Sequence, residues 1–233
     1  VVVGPTAVSP DLDASIELLD AAGNVITSAN PPSNMVSEDY ADGLGAVFAF
    51  GGIYAASVFG WGASELGLFG IILTLAGTIG AASGGVLDDR LGSKRVTGWA
   101  LCLFILASIG VLSVDEAHVL FVHPVEPKLP GSALFSSVGE QVYLAFAILI
   151  GLASGPIQAA SRTLLARMTP SEKTTEFFGF FSFSGKITAF AAPLAIGVVT
   201  AATGSQRLGI GTSLVFLIGG LLLLQRVRVK ASD

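Results

Sequence analysis

The chain has 233 residues, of which 52% are hydrophobic and only 12% are charged, and its formal net charge is −5. Glycine is also frequent, with 29 copies, and this mixture is typical of helices packed in lipid. The composition excludes an ordinary soluble domain or nucleic-acid-binding module. It predicts an integral, multi-pass membrane protein that has the lipid bilayer as its surroundings.

Residues 1–41 form a polar segment ahead of the apolar part of the chain. Its acidic residues and prolines are Asp11, Asp13, Glu17, Asp20, Glu38, Asp39, Pro5, Pro10, Pro31 and Pro32. Residues 15–28 can form a weak hairpin around Gly23-Asn24, but the composition favours a linker. The segment lacks the features of a signal peptide. Because the sequence starts with Val1 rather than Met, we expect a processed or truncated piece of a longer protein.

Six apolar runs follow, and only the fifth contains a charge, at Lys186. The predicted spans are approximately 43–64, 66–87, 96–114, 141–161, 177–202 and 208–225. Each reaches the roughly 20 residues that a helix needs to cross about 30 Å of hydrocarbon. None alternates as a membrane β-strand does, so the backbone must hydrogen-bond within helices. The predicted fold is an all-α membrane protein with a six-span domain over residues 42–228 and a cytoplasmic tail at 229–233.

Basic residues set the orientation of these spans. They follow the second, fourth and sixth spans, at Arg90, Lys94, Arg95, Arg162, Arg167, Lys173, Arg226, Arg228 and Lys230. The positive-inside rule places these ends in the cytoplasm. The loop over residues 115–140, which is acidic and rich in proline, is then external. The first span must begin inside, although residues 1–41 carry no Lys or Arg to hold them there.

Small residues on the second and fourth spans recur every four positions. They are Gly77, Gly80, Ala81, Gly84, Gly85, Gly151 and Gly155. This spacing lets helix backbones approach closely, and it suits both static packing and helices that slide. Gly155-Pro156 is expected to break or bend the fourth helix.

The charged turn over residues 85–95 is the most informative motif. Gly85 allows the end of the second helix to pack closely, and Gly92 allows a sharp reversal. Asp89 can interact with a positive helix N-terminus or a nearby Arg. We predict a conformational latch made of Gly85, Asp89, Arg90, Gly92, Lys94 and Arg95. The alternative is that the three basic residues are simple inside-anchoring charges.

The pattern Gly85-x-Leu87-x-Asp89-Arg90-x-Gly92-x-Lys94 resembles the signature loop of the major facilitator superfamily, although Ser93 stands where a basic residue is common. A longer set of residues resembles the C-terminal half of the vacuole-effluxer-like, autophagy-related amino-acid permease branch. That set comprises Gly155-Pro156-Ile157-Gln158, Ser161-Arg162, Glu176-Phe177-Phe178-Gly179, Ser184-Gly185-Lys186, Pro193 and Thr203-Gly204-Ser205-Gln206-Arg207.

This resemblance implies a secondary transporter in which two six-helix halves rock around a central path. The chain would be one half, a pair of inverted three-helix repeats with the site near the bilayer midplane. The N-terminal half of the same permease, or a second copy of the chain, would complete the pathway. The resemblance also implies amino acids as solutes and efflux as the direction. We expect a bacterial inner (plasma) membrane or an organelle membrane.

Lys186 is the first candidate for chemistry. It stands about nine residues into the fifth span, or close to 14 Å at about 1.5 Å per residue, near the middle of the hydrocarbon. A charge there is costly and indicates function. No span of the sequence has an Asp or Glu at its centre. Two partners therefore stay open: an acid from the other half, which we favour, and an anionic group on the solute.

Four further polar residues are candidates. Gln158 and Tyr54 can hydrogen-bond a solute, with interhelical hydrogen bonds as the alternative. Arg162 and Glu176 bracket the loop between the fourth and fifth spans, so we predict a cytoplasmic gate pair, with plain interfacial anchoring as the alternative.

Enzymatic interpretations fit the sequence poorly. Asp88-Asp89 resembles half of a metal-binding pair, but a facing helix offers no further carboxylate. His118 and His123 lack a third ligand, and no Gly-Lys-Ser/Thr loop for nucleotide is present. We therefore expect no catalytic residue, no metal and no cofactor. The alternative to a transporter is a non-transporting six-span scaffold or a truncated half-transporter.

Overall fold

The computed structural model describes the backbone of residues 2–5, 14–19 and 25–29 and, with side chains, residues 51–126, 128 and 133–227. The chain divides into two compact units, Val1–Gly43 and Leu44–Asp233.

The first unit contains an antiparallel sheet in the order β1-β2-β3. Its strands are β1 (Val2–Pro5), β2 (Ala14–Leu19) and β3 (Val25–Ala29). Val3 pairs with Ile16, which pairs with Ala29, and the register shifts between Leu18 and Leu19. Val3 and Ile16 are β-branched, and such residues favour the extended backbone of a strand. The weaker hairpin interpretation of residues 15–28 corresponds to the pairing of β2 with β3, and the assignment of residues 1–41 as a linker stays a prediction.

The second unit is helical. Its helices are α1, of which residues 51–59 are described, α2 (Ala63–Leu91), α3 (Ser93–Leu112), α4 (Val138–Met168), α5 (Thr174–Thr203), α6 (Gln206–Gly211) and α7 (Ser213–Arg226). A short 3-10 turn, Ser171–Lys173, precedes α5. A two-residue strand pair, β4 (His118–Val119) and β5 (His123–Pro124), lies in the loop before α4.

Within the described residues, five stretches are long and apolar enough to cross a membrane. They are Ala63–Leu91, Ser93–Leu112, Val138–Met168, Ser171–Thr203 and Gln206–Arg226. These stretches correspond to predicted spans two to six, so the chain is a multi-pass helical membrane protein. The first predicted span begins outside the described residues, and the described helix there ends at residue 59. The count of six spans therefore stays a prediction.

The helices are longer than the charge-free runs that predict them. α2 continues through Arg90 to Leu91, so most of the charged turn at 85–95 is helical. The reversal is made at Gly92, whose φ of 83° lies in the region that favours glycine. α4 likewise continues through Pro156, so the predicted break of the fourth helix is wrong. Charged residues can extend a helix beyond the hydrocarbon, and apolar runs mark only the part inside it.

α4 lies between α2 and α3, and its contact with α2 is made by glycines. A Cβ atom added at Gly84 would lie 2.7 Å from the Cβ of Pro156, and one added at Gly80 would overlap the backbone of Leu152. On the other helix, a Cβ at Gly155 would lie 2.6 Å from the carbonyl oxygen of Gly77. The small-residue spacing thus gives the close backbone packing that it predicts.

An aromatic cluster fills the predicted external end of the same helices. Its members are Tyr54, Phe59, Trp61, Phe69, Phe135 and Tyr143. Tyr54 stacks on Tyr143 at 5.9 Å between ring centroids, and Trp61 meets Phe69 edge to face at 5.3 Å. Such pairs contribute beyond simple burial. The external ends of α1, α2 and α4 therefore share one rigid core.

α5 differs from these helices because most of its residues are exposed. It packs chiefly against α6, where Gly209 lets the two backbones approach beside Ile196. Its remaining surface presents large apolar side chains, including Phe180, Phe183 and Phe190. An apolar helix left uncovered within its own chain must meet lipid or another protein surface.

Candidate functional site

The charged turn at the predicted cytoplasmic end of α2 buries a different carboxylate from the one that the motif predicts. Asp88 is 6% exposed, and its Oδ2 lies 3.9 Å from Nη2 of Arg167 on α4. Asp89, the predicted latch acid, is exposed. The reason is helical geometry, since Asp88 follows Gly80 and Gly84 at four-residue intervals on the face that meets α4. Asp89 points about 100° away.

Lys94 has a definite contact at the same end. Its Nζ donates hydrogen bonds to the carbonyl oxygens of Val227 at 2.7 Å and Gln225 at 3.3 Å, where α7 ends. A cation at a helix C-terminus satisfies free carbonyl groups and opposes the negative end of the helix dipole. Lys94 therefore ties the start of α3 to the end of α7. Arg90 and Arg95 are exposed.

The two glycines of the predicted latch differ in what they do. The N–H of Gly92 donates to the carbonyl oxygen of Asp88 at 2.9 Å and closes α2. Gly85 has no heavy atom of the described residues within 4 Å of an added Cβ. Within this chain, close packing thus falls to Gly84, and Gly85 faces an open side of α2.

Lys186 lies near the middle of α5 and is exposed. By helical spacing it shares a face with Gly179, Ser182 and Ala189, which are also exposed. The large apolar residues Phe180, Phe183, Ile187, Phe190 and Leu194 occupy the adjacent face. α5 thus presents a small, polar face that carries the cation beside a bulky, apolar face suited to lipid.

The other two solute candidates lie in different surroundings. Tyr54 is 3% exposed, and its hydroxyl donates to the carbonyl oxygen of Val114 at 3.0 Å. This hydrogen bond joins α1 to the loop that follows α3, and the solute contact of Tyr54 stays a prediction. Gln158 is half-buried on α4, and its backbone carbonyl oxygen accepts a hydrogen bond from the hydroxyl of Ser161 at 3.0 Å.

The predicted gate residues lie on successive helices. Arg162 is half-buried on α4, and Glu176 is exposed in the first turn of α5. Arg167, which enters the sequence analysis only as an inside-anchoring charge, is the α4 residue that the structure places beside Asp88.

A buried ionic cluster lies at the predicted external end, and the sequence predicted no role for its residues. Glu140 is 0% exposed and accepts hydrogen bonds from Trp61 Nε1 at 2.7 Å and Lys128 Nζ at 2.9 Å. It also accepts from the N–H and hydroxyl of Ser137, both at 3.1 Å. Lys128 lies 3.3 Å from Glu65 as well. The Ser137-x-x-Glu140 capping box was a sequence signal for part of this cluster.

The charge state of this cluster follows from these contacts. The hydrogen bond to Glu140 raises the pKa of Lys128 above its ordinary value, against the opposing effect of burial, and Glu65 adds to the rise. Lys128 therefore stays a cation that compensates a buried carboxylate. It joins the start of α2 to the start of α4.

A second external cluster surrounds Asp115, just after α3. The carboxylate accepts from the N–H groups of Ala117 at 2.9 Å and His118 at 2.7 Å, and it lies 3.4 Å from Arg207. Burial alone would raise the pKa of Asp115, but the backbone hydrogen bonds and His118 bring it below its ordinary value. Arg207 also covers the ring of Phe121 at 4.7 Å. This cluster joins the loop to the start of α6.

The residues that the structure describes with side chains include no group of three or more His, Cys, Asp or Glu that could hold a metal ion. These residues form close contacts between helices and ion pairs near both ends of the helices. They also include α5, a largely exposed helix that carries Lys186 near its middle. Contacts and ion pairs of this kind can hold helices together in a membrane or let them separate.

Comparisons with known proteins find the same kind of molecule. The family described as "Vacuole effluxer Atg22 like" matches residues 40–233. Autophagy-related protein 22 of Cryptococcus neoformans (strain JEC21) is 30% identical over 181 residues, which are 76% of this chain and 30% of the relative. The MFS-type transporter YxiO of Bacillus subtilis (strain 168) is 24% identical over 83% of this chain and 40% of its own length.

Among solved structures, the proton:xylose symporter XylE, bound to 6-bromo-6-deoxy-D-glucose, matches with a TM-score of 0.62 at 17% identity. The match covers 82% of this chain and 42% of the symporter, and at this identity it shows the fold. The chain spans less than half the length of each of these proteins.

Proposed function

The chain belongs to the Atg22-like vacuole effluxer family of the major facilitator superfamily, and from this we propose that it is the C-terminal half of a secondary transporter. It moves a small polar solute by alternating access. The observation that carries this proposal is α5, a membrane-length helix that is mostly exposed among the described residues, with Lys186 near its middle on the small-residue face. An uncovered polar face in a membrane suits a solute path better than lipid.

The lengths of the relatives support a half-transporter. The chain covers 30% of the fungal relative, 40% of the bacterial one and 42% of the symporter. In the proposed arrangement, an N-terminal half of the same permease, or a second copy of this chain, faces α5. The two inverted three-helix repeats of this half would be α1 to α3 and α4 to α7.

Lys186 has two proposed roles, and both require its positive charge. In the favoured role it pairs with an acid of the partner half and holds helices together. In the other it binds an anionic group of the solute, which fits the amino-acid class that the sequence resemblance implies. Gln158, half-buried on α4, is the proposed hydrogen-bonding partner for the solute.

The charged residues of the cytoplasmic end form the proposed latch and gate. Exposed Asp89, Arg90 and Arg95 are available to a partner half, while Lys94 and Gly92 shape the turn that carries them. Arg162 and Glu176 are the proposed gate between α4 and α5. Because a Bacillus relative matches 83% of the chain, we propose a bacterial inner (plasma) membrane as its location.

Amino-acid efflux from cells that produce the protein at its native length tests this function. Overproduction should raise efflux, and Lys186→Ala should abolish the increase. Lys186→Gln should preserve assembly, as judged by membrane yield. The matched control is Lys173→Gln, an exposed lysine just before α5, which should transport normally.

A six-span scaffold that transports nothing is the competing function. It predicts that efflux of every amino acid is unchanged by overproduction. It also predicts that both Lys186 variants behave as the wild type does, because a scaffold has no need of a cation at mid-depth. Normal transport by both variants would likewise reject the assigned role of Lys186.

A further inference from the structure

Two adjacent carboxylates at the end of α2 point to different surroundings. Asp88 lies on the buried face of α2, in line with Gly80 and Gly84, and is 6% exposed. Asp89 is exposed on a side that this chain leaves open. One residue of offset turns a helical side chain by about 100°. The two acids therefore cannot serve the same partner.

Burial makes the charge of Asp88 depend on a cation. An uncompensated carboxylate inside a protein is strongly unfavourable. The described residues give Oδ1 of Asp88 no hydrogen-bond partner, whereas Oδ2 lies 3.9 Å from Nη2 of Arg167. Arg167 is therefore the group that compensates this buried charge.

The helix packing explains why Arg167 reaches this position. Gly84 lies against Pro156, so α2 and α4 run side by side and Asp88 is level with residues one to two turns beyond Pro156. Arg167 lies further along α4. Side chains on a helix lean toward its N-terminus, so the long guanidinium arm reaches back to Asp88 while 49% of its surface stays exposed.

We propose that Asp88 and Arg167 form a second latch, within this half, that holds the cytoplasmic ends of α2 and α4 together. Asp89, by contrast, faces the other half of the transporter. The assignment of Asp88 stands on the packing of this chain, and its consequence for alternating access rests on the proposed function. Asp88 and Arg167 are assigned as positioning residues, since they act by holding α2 and α4 and lie at the ends of these helices.

The two partners should respond unequally to neutralisation. Arg167→Gln leaves a buried carboxylate without its cation, whereas Asp88→Asn leaves an arginine that can turn to water. Arg167→Gln should therefore be the more harmful change. Adding Asp88→Asn to it should restore most of what was lost, because the double variant has no buried charge at position 88. The matched control is the double variant Asp89→Asn/Arg167→Gln, which should remain as impaired as Arg167→Gln.

The test is a distance measurement in the protein at its native length, in lipid nanodiscs. Spin labels at Val86→Cys and Met168→Cys, with Cys102→Ser, report the separation of α2 and α4. We expect a narrow distribution in the wild type, a broader and longer one in Arg167→Gln, and a return toward the wild type in Asp88→Asn/Arg167→Gln. An unchanged distance distribution in Arg167→Gln would overturn the assignment. An equal return toward the wild-type distribution in Asp89→Asn/Arg167→Gln would also overturn it.

Efflux measured on the same variants separates the two proposals. If the distances respond as expected but the wild type moves no solute, the second latch stands and the transport proposal fails. If the wild type transports and the distances do not respond, transport stands and the assignment of Asp88 fails.

Discussion

The two ends of the α2–α4 pair are held by different kinds of contact. At the external end, Glu140 is fully buried and its oxygens accept from Trp61, Lys128 and Ser137 at 2.7–3.1 Å. At the cytoplasmic end, the buried carboxylate of Asp88 meets a half-exposed arginine at 3.9 Å, and Oδ1 has no hydrogen-bond partner among the described residues. The buried carboxylate at the external end thus has several hydrogen-bond donors, whereas the one at the cytoplasmic end has a single long ion pair among the described residues.

This difference indicates at which end α2 and α4 can separate. A fully satisfied buried network is rigid and costly to open, and the aromatic cluster beneath Glu140 adds to it. The single 3.9 Å ion pair of Asp88 has fewer contacts to lose, and its half-exposed arginine can turn to water. In the proposed transport cycle, the external ends of α2 and α4 would therefore stay together, and any opening between them would occur at the cytoplasmic side.

The largest expected effect comes from breaking the external end. Glu140→Ala leaves Lys128 without its closest carboxylate and Trp61 Nε1 without its acceptor. Removing one partner of a buried pair costs about 3–5 kcal/mol, so thermal unfolding of the purified protein in detergent should shift to a clearly lower temperature. Glu116→Ala, an exposed glutamate of the same loop, is the matched control. Equal unfolding temperatures for the two variants would contradict a locked external end.

A smaller effect is expected from the packing that carries the cytoplasmic end. The Cβ of Gly84→Ala would lie 2.7 Å from the Cβ of Pro156, and overpacking of this kind costs about 1–3 kcal/mol. Gly85→Ala, one residue further on, meets no described atom within 4 Å. It should be neutral or stabilising, because alanine favours a helix over glycine by about 1 kcal/mol.

Unfolding temperatures of the two alanine variants, measured side by side, test this contrast. If Gly85→Ala were the more harmful, the buried face of α2 would be wrongly assigned. Efflux adds a second reading, since Gly85 belongs to the proposed latch. Loss of transport in a stable Gly85→Ala protein would show that Gly85 acts at the surface facing the other half.

The membrane helices were predictable because lipid imposes one rule on every span. Apolar runs near 20 residues report it directly, and the close packing of Gly84 and Gly155 follows from their spacing. The helix ends were harder to predict from the sequence, since Arg90 continues α2 beyond the charge-free run. The sheet over β1 to β3 was harder to predict because its strands have only 4, 6 and 5 residues, which is too few for a clear alternation of apolar and polar side chains.

The faces of the helices could not be predicted from local sequence. Asp88 and Asp89 are both carboxylates in one charged turn, and motif spacing favours Asp89. Which one is buried depends on the face of α2 that meets α4, a long-range contact set by Gly80 and Gly84. The same limit applies to Glu140, whose partner Lys128 lies in a loop that no periodicity places.

The smallest expected effect concerns pH at the external loop. The pKa of Asp115 lies below its ordinary value of about 3.9, so its ionised form stabilises the folded state. This contribution is fully present above about pH 4 and is lost as the pH falls through the lowered pKa. Because Asp115 is partly exposed, the contribution should be below about 1 kcal/mol.

The difference in unfolding temperature between the wild type and Asp115→Asn, followed from pH 6 to pH 3, isolates this contribution from other carboxylates. The wild type should be slightly more stable at pH 6, and the difference should shrink as the pH falls through the lowered pKa of Asp115. Glu116→Gln, at the exposed neighbouring position, should show no such trend. A difference that grew on acidification would mean that the backbone N–H groups of Ala117 and His118 do not favour the ionised carboxylate.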